Sequence, residues 1–146
     1  MRVYEVMSKD VETVKPGVQL AEAKTRMRQR RIHHLVVTRG GEIAGVVSDR
    51  DLGGSKLPRS LGKFTVEDVK TSPVVTVTTR TLMRRAATLM KGRSIGSLVV
   101  TSANGKLAGI VTMADLLDVI ARHPEHRSNR ALRDARARRK DDTWDE

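Results

Sequence analysis

The sequence predicts an α/β (α+β) chain of two tandem β-α-β-β-α repeats packed against each other with pseudo-two-fold symmetry. Three observations predict it. The stretch Ile32 to Thr38, a Gly-containing turn and Gly45 to Leu52 return as Ile95 to Thr101, a turn and Gly109 to Leu116, and self-similarity at a fixed period marks a repeated structural unit. Each half opens with a short β-branched run followed by apolar residues at helical spacing. Each half is also too small to bury an adequate core alone, so the two should fold against each other.

The first strand of each repeat is read from Val11-Glu12-Thr13-Val14 and from Val74-Val75-Thr76-Val77. A helix follows in both. Leu20, Ala23, Met27 and Arg30 recur at spacings of three and four after Gly17, with basic residues in the last turn, where they complement the helix dipole. Leu82, Ala86, Leu89 and Met90 repeat the pattern, with Gly92 as the expected C-terminal stop. Arg39-Gly40-Gly41 and Ala103-Asn104-Gly105 read as hairpin turns, because Gly and Asn tolerate positive φ. The following runs, Ile43 to Val47 and Leu107 to Val111, are nearly continuous in apolar character, as in strands covered on both faces. Each ends at Ser48 or Thr112, and an Asp three residues later is expected to open the last helix of its repeat.

The copies align at an offset of 63 through Thr38 and Thr101, and of 64 from Gly45 and Gly109 onward, the extra residue falling at a hairpin tip. The repeat starts align as well, Val3 with Val66, Val6 with Val69 and Thr13 with Thr76. Gly53 to Gly62 is rich in Gly, Pro and Ser and so reads as a connection. The expected organisation is a first repeat over 1–57, a linker over 58–63, a second repeat over 64–121 and a basic, flexible tail over 122–146.

Composition narrows the function classes. No run approaches the roughly 20 apolar residues of a bilayer span and the N-terminus lacks a signal-peptide core, so a soluble, cytoplasmic protein with no membrane partner is expected. Absence of Cys removes disulfides, thiolate metal sites and Cys nucleophiles. The net charge of +11 favours an anionic partner. Part of it sits in the tail, at Arg127, Arg130, Arg133, Arg136, Arg138, Arg139 and Lys140, and part in Lys24, Arg26, Arg28, Arg30 and Arg31, where a solvated helix face is the plainer reading. With 2% aromatic residues, base-stacking platforms are poorly supported.

The chemistry concentrates in Gly45-Val46-Val47-Ser48-x-x-Asp51 and Gly109-Ile110-Val111-Thr112-x-x-Asp115. A hydroxyl at a strand end, with a carboxylate three residues on, places both groups at a helix N-terminus. There the Asp can accept from a vicinal diol, while the hydroxyl and free backbone N–H groups can meet phosphate. The same pattern is also a capping arrangement, and recurrence at matching positions of a duplicated fold turns the balance toward binding. Related clefts, one per repeat, are expected.

This pattern resembles the cystathionine β-synthase (CBS) domain, which occurs as tandem pairs known as Bateman modules, and the resemblance covers about Met1 to Ala121. It implies a regulatory module that binds an adenosine-containing molecule (AMP, ADP, ATP, NAD or S-adenosylmethionine) in clefts between the repeats, with no required cofactor. Ser48 and Asp51, and Thr112 and Asp115, would take the phosphate and ribose roles. Ile32 and Ile95, with the neighbourhoods of Thr13 and Thr76, would line the adenine pockets. Val36 and Val99 stand where the family often has Pro.

Arg50 matches Ala114, and His33-His34 match Gly96-Ser97, so the first cleft is richer in groups that can face phosphate. The resemblance also implies a homodimer that passes its state to a regulated partner. The expected function is that of a stand-alone nucleotide-sensing CBS pair. The competing readings are a dimerising scaffold whose Arg-rich tail binds nucleic acid or another polyanion, and an interaction module with empty clefts. An enzyme is not expected, since the chain has no Gly-x-Ser-x-Gly elbow and no Walker loop. A metal site is not expected either: His33 and His34 read as adjacent strand residues pointing to opposite faces, and His123 and His126 have no third ligand nearby.

Overall fold

The structure, a computed structural model, describes residues 1–53 and 62–122. Two three-stranded sheets carry the fold. In the first, β1 (Thr13–Val14) pairs in parallel with β2 (His34–Arg39), which pairs antiparallel with β3 (Glu42–Ser48). In the second, β4 (Thr76–Thr78), β5 (Ser97–Thr101) and β6 (Leu107–Thr112) repeat the order and the senses of pairing. The register repeats as well: Thr13 lies opposite Val36 where Thr76 lies opposite Val99, and His34 lies opposite Ser48 where Ser97 lies opposite Thr112. Gly40, Gly41 and Gly105 adopt positive φ in the hairpins, as their turns demand.

Helix α1 (Leu20–Arg30) buries Leu20, Ala23 and Met27 against β2 and β3, and α3 (Met83–Arg93) buries Met83, Ala86 and Met90 against β5 and β6. Alternation along β2 puts Leu35 and Val37 into the first core, and along β5 it puts Leu98 and Val100 into the second. Lys24 is buried on α1, which corrects the reading of Lys24 to Arg31 as a wholly solvated face. Gly92 is not the stop of its helix. Both helices end instead in a left-handed non-glycine residue, Arg31 (φ 54°) and Ser94 (φ 53°), at equivalent positions. The N–H groups of Arg31 and Ile32 bond to the carbonyls of Arg28 and Met27, and those of Ser94 and Ile95 to Lys91 and Met90. Two closing bonds per helix offset the roughly 1–2 kcal/mol that αL costs a residue with a Cβ.

The segments that lead into the repeats are exchanged. Val3, in a 3-10 turn over Val3–Glu5, packs into the core of the second sheet, whereas Val66, in the short helix α2 (Val66–Val69), packs into the core of the first. Ser8 pairs with Ile110 on the edge of β6, and Thr71 pairs with Val46 on the edge of β3, an equivalent crossing in the other direction. These crossings cover one edge of each sheet and tie the repeats together. They also explain two glycines: a Cβ on Gly109 would lie 2.6 Å from the Ser8 carbonyl oxygen, and one on Gly45 would lie 2.7 Å from the Lys70 side chain.

The repeats differ at their ends. In the second, Thr112 leads directly into α4 (Met113–Arg122), as expected. In the first, the expected helix is a single turn over Asp49 to Leu52, anchored by buried Leu52 and followed by Gly53 at φ 82°. The expected linker falls largely outside the described residues, as does the Arg-rich tail with His123 and His126, apart from Arg122, its expected first residue, which ends α4.

Candidate functional site

One cavity of about 1060 Å³ lies between the repeats and is lined by both strand-end motifs. The two expected clefts therefore open into one continuous space. Two copies of the same local structure build its walls. Each helix stop delivers Ile32 or Ile95 to the cavity, the following strand delivers His34 or Ser97, and the cross-strand partner is Ser48 or Thr112.

Both motifs are closed by reciprocal hydrogen bonds. The Ser48 N–H donates to Asp51 Oδ2 at 2.8 Å and the Asp51 N–H donates to Ser48 Oγ at 3.2 Å. The Thr112 N–H and hydroxyl donate to Asp115 Oδ2 at 2.7 and 3.0 Å, and the Asp115 N–H donates to Thr112 Oγ1 at 3.3 Å. The capping arrangement is thus present at both sites. It engages Oδ2 of each carboxylate and leaves Oδ1 without a hydrogen bond among the described residues. A cap and a ligand contact are compatible, because a carboxylate has about four lone-pair sites and the cap uses only part of them.

Ten of the expected site residues line the cavity: Ile32, His33, His34, Ser48, Arg50, Asp51, Ile95, Ser97, Thr112 and Asp115. Thr13 and Thr76 do not. They are exposed on β1 and β4, and the preceding residues, Val11 and Glu12 or Val74 and Val75, reach the cavity instead. His33 and His34 both line it, which corrects the expectation of opposite faces: His33 lies in the bend before β2, where strand alternation does not apply. Ser8, Thr71, Met90 and Lys91 also contribute and were not picked out from the sequence. The repeat offset is the signal that links Ser8 to Thr71.

His34 sits where the two repeats meet electrostatically. Desolvation and the neighbouring His33 hold its pKa below the ordinary value, opposed by the carboxylates of Asp51 and Asp115, one from each motif. The cavity thus offers five carboxylates (Asp10, Glu12, Asp49, Asp51 and Asp115), hydroxyls on opposite walls, a histidine biased toward its neutral form, and the apolar groups of Ile32, Val99 and Ile110. A polar ligand with a flat apolar part, a diol and an anionic group finds complementary chemistry in such a space.

A duplicated fold with paired strand-end carboxylates on an inter-repeat cavity defines a tandem-repeat protein whose two copies share one cavity. Residues 3–52 and 66–122 match the CBS domain family, and the chain belongs to it. It is a CBS pair, a class that is generally regulatory rather than catalytic.

The chain is 34% identical over 120 residues to an uncharacterized protein of Methanopyrus kandleri, the match covering 80% of this chain and 61% of that one. It spans 24% and 23% of the length of two curated relatives named as enzymes. Among solved structures, the CBS domain pair of MJ0100, in complex with 5-methylthioadenosine and S-adenosyl-L-methionine, is 22% identical at TM-score 0.73, covering 83% of this chain and 96% of that one, a likeness of fold. The cytosolic domain of the Mg2+ channel MgtE, in complex with ATP, is 29% identical at TM-score 0.63, covering 78% of this chain and 46% of that one. No helix among the described residues is long and apolar enough to cross a membrane.

Proposed function

We propose that this chain is a regulatory, cytoplasmic CBS pair that binds an adenosine-containing ligand in the cavity between its repeats. The observation that carries the reading is the placement of Asp51 and Asp115, from opposite repeats, on one cavity of about 1060 Å³. Each carboxylate keeps Oδ1 outside its cap, available to ribose hydroxyls. Ser48, Ser97, His33, His34 and Arg50 supply donors for phosphate, and Ile32 and Ile95 supply apolar surface for adenine. The complex of the MgtE cytosolic domain with ATP supports a nucleotide as the class of ligand. AMP, ADP, ATP, NAD and S-adenosylmethionine form the candidate set.

A ligand touching both repeats stabilises one relative orientation of the two sheets, and a partner that prefers this orientation then reads the ligand's concentration. A homodimer completes the proposal. Helix α4 buries none of its residues and exposes Met113, Leu117 and Ile120 at spacings of four and three, a stripe suited to a second copy of the same face.

A thermal-shift panel tests the ligand reading. Binding to the folded state alone stabilises by about 2.7 kcal/mol at a hundredfold excess over Kd. Adenosine-containing ligands at millimolar concentration should raise the melting temperature more than guanosine or pyrimidine nucleotides. Flat curves across the whole panel contradict the proposal.

A further inference from the structure

We propose that a recess of about 380 Å³ beside α1 is a phosphoryl-binding subsite adjoining the cleft. It shares Ile32, His33 and Asp49 with the cleft and adds Lys24, Arg28 and Arg31. The inference deepens the reading of the cleft as an adenosine-ligand site, and rests on it for the nucleotide as the phosphoryl source.

The first support is a desolvated ammonium. Lys24 is 2% exposed. Its Nζ lies 3.3 Å from Asp49 Oδ1, an ion pair outside hydrogen-bond geometry, and makes no hydrogen bond among the described residues. A buried ammonium is costly to leave so incompletely satisfied. The second support is an excess of positive charge. Arg26 and Arg30 pair with Glu22 and Glu12, whereas Arg28 and Arg31 have no ion-pair partner among the described residues. Three cations therefore face the single carboxylate of Asp49.

The second repeat serves as an internal control. At the positions of Lys24, Arg28, Arg31, His33 and Asp49 it carries Ala87, Lys91, Ser94, Gly96 and Met113. The flanking core positions are the same in kind and burial, Ala23 with Ala86 and Met27 with Met90. The scaffold is thus built without a lysine or its carboxylate partner at this place, and the pair in the first repeat answers to something other than packing. A phosphoryl group fits: two guanidinium forks and an ammonium can share its oxygens, and it gives Lys24 the acceptor it lacks.

The phosphoryl group comes either from the tail of a nucleotide seated in the cleft or from free pyrophosphate. Calorimetry on the full chain with adenosine, AMP, ATP and inorganic pyrophosphate separates these sources. Lys24→Met keeps the buried stem and removes the ammonium. The double variant Arg28→Ala/Arg31→Ser changes only exposed side chains and carries the test if the first variant does not fold. Both should weaken pyrophosphate or ATP binding at least tenfold and leave adenosine binding unchanged. Loss on ATP identifies the nucleotide tail as the source, and loss on pyrophosphate alone identifies the free anion. Adenosine failing to bind any form sinks the cleft reading, while a variant-dependent loss on pyrophosphate still upholds the subsite. Wild type that neither binds pyrophosphate nor prefers ATP to AMP, or variants that bind both as wild type does, overturns it.

Discussion

Thr112 and Asp115 are closed on each other by three hydrogen bonds at the head of the ten-residue helix α4, whereas Ser48 and Asp51 share two at the head of a single turn. The same motif therefore bears different structural weight in the two repeats. Asp115→Ala should cost about 0.5–2 kcal/mol, the range for a lost cap, and Asp51→Ala less, because it caps less helix. Urea denaturation of both variants without ligand checks the order. Equal losses would mean that helix length does not set the difference.

The exchange of leading segments gives a prediction about where damage appears. Val3 belongs to the core of β4, β5 and β6, although it precedes the first repeat. Val3→Ala should therefore speed amide exchange in the second sheet, and Val66→Ala in the first. Each should cost about 1.5–3 kcal/mol, on the scale of burying a valine side chain. Hydrogen exchange read by mass spectrometry distinguishes this from the sequence-adjacent pattern.

His34 makes stability depend on pH. Its folded pKa is held below the unfolded value of about 6.5 by desolvation first and His33 second, against Asp51 and Asp115. As pH falls below about 6.5 the unfolded chain takes up the proton first, so stability declines from there down through the lowered folded pKa. His34→Gln should flatten the melting temperature across this window relative to wild type. A slope unchanged by the substitution would assign the pH dependence to other groups.

The exposed stripe on α4 yields an oligomer prediction. Leu117 is 61% and Ile120 is 70% exposed. If a second copy covers them, Leu117→Glu/Ile120→Glu should convert a dimer into a monomer by light scattering, with little change in the far-UV spectrum. A variant that remains dimeric would place the interface elsewhere.

The duplication was legible because the Gly45 and Gly109 runs, the hairpin glycines and the Ser48 and Thr112 motifs recur at near-constant offset. Other features depend on tertiary context. The exchange of Val3 and Val66 follows from edge pairing by Ser8 and Thr71, which no local pattern encodes. Gly92 drew the helix stop to itself by propensity, yet the stop is Ser94, where two closing bonds outweigh the cost of αL. Lys24 sits in a basic run that reads as solvated, and only its position on the buried face of α1 reveals otherwise. Thr13 and Thr76 marked the right strands, but the cavity is reached by the residues before them.

The proposed function requires Asp51 and Asp115 to hold an adenosine-containing ligand in one shared cavity. Calorimetry of the wild type and of the Asp51→Asn/Asp115→Asn variant, with the ligand that gives the largest thermal shift, tests it most directly. Asn keeps an acceptor for the cap and removes the charge. The variant should fold and its affinity should fall at least tenfold, since hydrogen bonds to charged groups are worth about 1.5–3 kcal/mol each. A folded variant that binds as tightly as the wild type would contradict the claim and leave the two motifs as caps alone.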